Sequence, residues 1–315
     1  METLRLATGN YGVTRQLKTR SQISDRVTLE FKEVDHILTA VRQLARTPDF
    51  DNADYDVCEM PITTYLTAKS FGKPFTAIPV FVTRNFHHWP IFCSRKAGIN
   101  SPKDFEGKTV GVNRGYTVTT GLWARGMLSS EYGVDLEKVR WAATDDEHVA
   151  EFKLPPNCDY EYRGRSMVEL FEAGLIAGAI GDIQDKSDDI QPLIPDAREA
   201  GFAYYRKTGI YPVNHTIVVL DSVLERDPQI AMDLFDAFEK SKNAYVATLD
   251  SIADPVGGDE LAIALRKGVG GDPFPNGVKV NEKAIDALAQ FALDQHITPV
   301  KYTAEELFAA ATLGT

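Results

Sequence analysis

The sequence predicts an α/β fold of two lobes, with doubly wound sheets joined by crossover strands and a helical C-terminal part. Three observations predict it. Residues 1–84 alternate strand-like and helix-like segments, and a second alternating set fills 85–207. An apolar run, YPVNHTIVVL (211–220), then reads as a strand returning to the first set. Lobe I is therefore expected over 1–84 and 208–315 and lobe II over 85–207, with a ligand cleft between them.

In lobe I, LRLATG (4–9) and VTLEFKEV (27–34) alternate apolar and polar residues as strands do, with YGVTRQLK as a helix between them. HILTAVRQLAR (36–46) has helical spacing through Ile37, Val41 and Leu44. YDVCEM (55–60) is a short strand. PITTYLTAKSFG (61–72) opens on Pro61 and stops at Gly72, as a helix should. FTAIPVFV (75–82) closes a β-α-β-α-β-α-β order, that of a parallel sheet. In lobe II, SPKDFEGKTVGVN (101–113) is a helix that starts at Ser-Pro and stops at Gly107, then a strand, YTVTTGLWARGMLSSEYG (116–133) a long helix, and VRWAAT (139–144) a strand. SMVELFEAGLI (166–176) is amphipathic, and AGAIGD (177–182) is a strand of small residues. QDKSDDI (184–190) reads as a solvated acidic loop, and 222–249, 257–269, 281–294 and 303–312 read as helices.

Of 315 residues, 43% are hydrophobic and 25% charged, as in a globular protein, and the net charge of −11 argues against nucleic acid and anionic membrane surfaces. A small anionic ligand is not excluded, because a few local cations dominate one cleft. Cys58, Cys93 and Cys158 are few, odd in number and scattered, the pattern of small core residues in a reducing compartment. METLRLATGNYG lacks the parts of a signal peptide, so a cytoplasmic protein is expected. The acidic surface and C-terminal helices allow a homo-oligomer.

A lobe that opens with "SPKDFEGKTVGV" and interrupts another resembles the type II periplasmic binding protein architecture. Four stretches are more particular: "DVCEMPITTYLTAKSFGKPFTAIPVFVTRNFHH", "VNRGYTVTTGLWARGMLSSEYGVDL", "DDEHVAEF" and "GIYPVNHTIVV". These resemble the 4,5-dihydroxyphthalate decarboxylase family over roughly a third of the chain. The resemblance implies a non-oxidative carboxy-lyase of aromatic catabolism that converts 4,5-dihydroxyphthalate to protocatechuate. A solute-binding protein for a small carboxylate is the rival reading.

Several residues then become candidates. CEMPITTYL and GYTVTTGLW put Thr63, Thr64, Thr117, Thr119 and Thr120 at helix starts, where free N–H groups either bind an anion or are capped by the threonines. An aromatic dicarboxylate suits two such ends. Arg84 and Arg114, each following a strand, are candidate carboxylate partners, with Arg15 and Arg165 behind them. His87, His88, His148 and His215 all fall in the family-like stretches, and strand alternation directs only one of His87 and His88 to the ligand. Glu59 and Asp182 end strands, where open α/β sheets place chemistry. The expected site thus has His88 and His215 as the acid–base pair, supported by Glu59 or His148. Arg84, Arg114, Thr63, Thr119, Thr120, His87, Asn214 and Asp182 bind substrate, and Trp123 or Trp89 either stacks on the ring or packs in the core. No HxH, HExxH or nucleotide-binding motif is present, so no cofactor is assigned, and a divalent metal is the less favoured alternative.

Overall fold

A computed structural model describes residues 1–183 and 187–315. The first three residues of the QDKSDDI loop, 184–186, lie outside the described residues. In chain order the strands are β1 (Glu2–Ala7), β2 (Val27–Phe31), β3 (Val57–Pro61), β4 (Phe75–Thr83), β5 (Ile91–Ser94), β6 (Thr109–Val112), β7 (Arg140–Ala143), β8 (Cys158–Asp159), β9 (Gly178–Ile180), β10 (Ile190–Pro192) and β11 (His215–Leu220). The helices are α1 (Gly12–Arg15), α2 (Ile37–Arg46), α3 (Ile62–Ser70), α4 (Thr119–Ser130), α5 (Met167–Glu172), α6 (Ala197–Thr208), α7 (Asp221–Arg226), α8 (Ile230–Thr248), α9 (Gly258–Val269), α10 (Glu282–Asp294) and α11 (Ala304–Leu307).

The described residues form two units. The first comprises Met1–Asn85, Gly209–Ala287 and Tyr302–Thr315, and the second Phe86–Thr208 and Leu288–Lys301. The sequence reading kept all of 208–315 in lobe I, whereas 288–301 pack with the second unit. The reason is local: Phe291 meets the fully buried Trp123 edge-on at 5.8 Å, and Gln295 Oε1 accepts from Arg125 Nε at 2.8 Å.

The first unit holds a five-stranded sheet in the order β2-β1-β3-β11-β4. Strands β1, β2 and β3 are parallel, but β11 lies between β3 and β4 and runs against both. The all-parallel sheet read from the sequence is therefore a mixed one. This insertion matters for function, because the start of β11 is brought to the carboxyl ends of β3 and β4. His215 falls opposite Pro61 on one side and Thr83 on the other. β4 is buried along most of its length, as an apolar run without alternation should be.

The second unit holds a six-stranded sheet in the order β10-β5-β9-β6-β7-β8. β6, β7 and β9 are parallel, and β5 pairs antiparallel with both β9 and β10. Strands β5 and β10 and helix α6 escaped the sequence reading, the first two because each is too short to show a period. Helix starts follow the local signals. Ser101 and Asp104 form a capping box before a 3₁₀ turn, Ser166 and Glu169 form one at α5, and the His36 ring caps α2. All three cysteines are free and buried, and burial pushes the Cys58 thiol far above its ordinary value. No helix among the described residues is long and apolar enough to cross a membrane.

Candidate active site around Glu59 and His215

Glu59 sits in β3 two residues before its end, ahead of Met60 and Pro61, with no exposed surface. Such a carboxylate needs several donors to remain charged, and four supply it. Thr8 Oγ1 and the Gly9 N–H donate to Oε2 at 2.9 and 2.8 Å, and the Tyr11 hydroxyl donates to Oε1 at 2.8 Å. His215 Nδ1 lies 2.6 Å from the same Oε1. Register explains the last contact. Ile217 is opposite Glu59 and His215 is two residues back, so the two side chains form a diagonal pair on one face of the sheet. Burial pushes the Glu59 carboxyl upward, but the hydrogen bond and charge of His215, then the Gly9 N–H and the Tyr11 hydroxyl, outweigh it and hold the carboxyl below its usual range.

The dyad has one closed end and one open end. The His215 side chain is 21% exposed, and its Nε2 has no hydrogen bond among the described residues. A carboxylate only accepts, so Glu59 fixes Nδ1 as the donor nitrogen and leaves Nε2 as the open one. The Tyr11 phenol is pushed well above its ordinary value by burial and then by the Glu59 charge, so it remains a donor.

Thr8, Gly9 and Tyr11 were missed from the sequence. Only the sheet reveals them: β1 neighbours β3, with Ala7 opposite Cys58, and that pairing brings the loop after β1 beside Glu59. Gly9 is needed there, because a Cβ at that position would meet the Tyr11 ring at 2.4 Å. Lys18 pins the same loop from outside, donating to the Thr8 carbonyl at 2.9 Å and to Asn10 Oδ1 at 2.6 Å.

Several expected site residues have other roles. At the N-terminus of α3 the Ile62 N–H donates to the Asn214 carbonyl at 2.8 Å, and Thr63 and Thr64 are wholly buried. Arg84 is 2% exposed, donates to Asn281 Oδ1 and stacks over the Tyr211 ring at 4.5 Å. In the second unit the region before α4 already holds an anion, which is the chain's own. Glu147 accepts from the Tyr116 N–H, from the Thr117 hydroxyl, and from the Thr117 N–H at 2.9 Å. Thr119 is buried and Thr120 half-buried in the first turn that follows. Trp123 is core, whereas Trp89 is exposed.

His88 is corrected in the same way. It has no exposed surface, its Nε2 lies 3.0 Å from Glu131 Oε2, and its ring meets Tyr204 edge-on at 5.7 Å. An enclosed imidazole with a carboxylate partner is a packing group, so His88 leaves the acid–base pair. His87 and His148 are also buried, so neither member of the His87–His88 pair presents a ring to solvent. Arg114 is exposed, with φ of 79°, and it lines a second-unit cavity of about 340 Å³ together with Asp182.

The buried His88 makes a testable contribution to stability. Burial depresses its affinity for a proton below that of an ordinary imidazole at 6.5, against the opposing pull of Glu131. The unfolded chain then binds the proton first as pH falls, so stability should be intact above about 6.5 and decline below it. Urea midpoints between pH 8 and 5 should show this decline, and His88→Gln should flatten it. An equal pH slope in the variant would remove His88 as the cause.

Comparison with known proteins places this geometry in a family. A model described as NMT1/THI5 like matches residues 47–248. A Comamonas testosteroni protein named 4,5-dihydroxyphthalate decarboxylase is 30% identical over 282 residues, 84% of this chain and 85% of that relative. The chain belongs to the 4,5-dihydroxyphthalate decarboxylase family. A Pseudomonas putida protein of the same name is 30% identical over 196 residues, 62% of this chain and 68% of its own. Among solved structures, the chain is similar in fold to the periplasmic aliphatic sulphonate binding protein of Escherichia coli, with a TM-score of 0.55, 10% identity and full coverage of both chains. It is also similar to a putative periplasmic sulfonate-binding protein of Methylobacillus flagellatus, with a TM-score of 0.53, 10% identity, and 98% and 91% coverage. The chain thus has the type II periplasmic binding protein-like fold.

Proposed function

We propose that this member is a carboxy-lyase that converts 4,5-dihydroxyphthalate to protocatechuate and CO₂, with Glu59 and His215 as its acid–base centre. The observation that carries the reading is the 2.6 Å contact between a wholly buried carboxylate and a half-open imidazole. The named relatives supply the substrate class.

The reaction consumes one proton for each CO₂ released, so one acid that recharges from water suffices. A ring hydroxyl para to the departing carboxylate pushes electron density onto the carbon that bears it. His215, as an imidazolium beside the Glu59 anion, gives its Nε2 proton to that carbon. The bond to the carboxylate then breaks, its electron pair restores the aromatic ring, CO₂ leaves, and His215 takes a proton from solvent. Glu59 stabilises the imidazolium and holds the ring in place, as the carboxylate does in other His–carboxylate pairs. The carbon chemistry is redox-neutral, and we propose that it proceeds without a cofactor.

The binding-protein fold favours a second reading, capture of a small carboxylate without turnover. Incubation with 4,5-dihydroxyphthalate, with and without EDTA, separates the two. On the decarboxylase reading CO₂ and protocatechuate appear in equal amounts, EDTA does not slow them, and His215→Gln lowers kcat by about 10²-fold or more. Tight binding with no CO₂ would establish the second reading instead.

A further inference from the structure

Beside the dyad, wholly within the first unit, lies a cavity of about 490 Å³. Two of its walls belong to the dyad's surroundings: Tyr11, which donates to Glu59, and Thr83, which stands opposite His215 in the sheet. Tyr245 and Phe274 add an aromatic wall, their ring centroids 6.3 Å apart. The Tyr245 ring reaches this position only because residue 12 is glycine, since a Cβ there would meet it at 2.2 Å. The cavity is therefore bounded by flat apolar faces of the size an aromatic ring covers.

Its polar groups are unevenly matched. The Asp259 carboxylate is already engaged, because its Oδ1 accepts the Tyr245 hydroxyl at 2.6 Å. Arg15 lines the same cavity, is exposed, and has no ion pair or hydrogen bond among the described residues. Thr83 Oγ1 is buried and has no hydrogen-bond partner among them. An arginine fork without a carboxylate lies at one aromatic-walled space, and the unpartnered Thr83 hydroxyl is enclosed in its wall. An aromatic acid would satisfy the arginine.

Taking the Glu59–His215 centre as the reaction site, we propose that this cavity is its specificity pocket and that Arg15 holds the carboxylate that stays on the ring. The other carboxylate is then left without a strong partner beside His215. This is the useful arrangement, because firm binding of the departing group would stabilise the ground state as much as the transition state.

Binding tests the proposal without reference to turnover. Protocatechuate keeps the retained carboxylate, and catechol is the same ring without it. Calorimetric titration of wild type and Arg15→Met with each should show protocatechuate weakened by about 10- to 100-fold in the variant and catechol unchanged. Arg15→Lys should recover part of the loss. Equal protocatechuate affinity in wild type and Arg15→Met, an equal loss for both ligands, or no protocatechuate binding by wild type would each overturn the assignment. Arg15-dependent binding without CO₂ release from 4,5-dihydroxyphthalate would uphold the pocket and remove the decarboxylase reading. Turnover with Arg15-independent binding would do the reverse.

Discussion

Glu59→Gln is expected to lower kcat with 4,5-dihydroxyphthalate by about 10²- to 10⁴-fold, the range seen when the carboxylate behind a catalytic histidine is neutralised. The substitution keeps the shape and removes the charge. Glu59 accepts from four donors, two on each oxygen. A glutamine has one oxygen, so either the Gly9 N–H or the Nδ1–H of His215 meets an amide N–H. If His215 is the one displaced, its tautomer inverts and the imidazolium loses its counter-charge. If it is Gly9, a part-buried N–H loses its acceptor and the melting temperature falls. Turnover at the wild-type rate in a folded Glu59→Gln protein would remove the dyad from the chemistry. The ionised Glu59 also predicts acid sensitivity. Its folded-state affinity for a proton is depressed, so its stabilising contribution is present above the ordinary value of 4.5 and lost as pH falls below it.

Glu147→Ala should produce the largest loss of stability, about 3 kcal/mol or more. The change orphans the Tyr116 and Thr117 N–H groups and the Thr117 hydroxyl together, and each buried donor left unmet costs about 1–3 kcal/mol. It also removes an anion whose field supports the wholly buried Arg125 guanidinium, a charge already disfavoured by its burial. Tryptophan fluorescence is a selective probe, since Trp89, Trp123 and Trp141 all lie in the second unit. Urea unfolding followed this way should show the loss in Glu147→Ala and a partial recovery in Glu147→Gln. Unchanged unfolding would mean that the donors before α4 find other partners, and the site there would again be open to a ligand's carboxylate.

Most elements could be read from the sequence because their signals are local. The alternation in 27–34 gave β2, the spacing of Ile37, Val41 and Leu44 gave α2, and Gly72 at φ of 66° ends the helix that Pro61 begins. Strands of three or four residues such as β5 and β10 carry too few positions for a period and became visible only in the sheet. The sequence also identified Glu59 and His215 as separate candidates, from a strand end and from a family-like stretch.

What the sequence by itself determined is the set of chemically able side chains and the elements that carry them. Only the tertiary structure decided which of these meet. Glu59 and His215 are 156 residues apart, and they touch because β11 enters the sheet antiparallel between β3 and β4, a pairing that no local pattern encodes. The same long-range choices gave His88 to Glu131 and the donors before α4 to Glu147, since a buried charge or N–H takes whatever partner the fold brings within 3 Å.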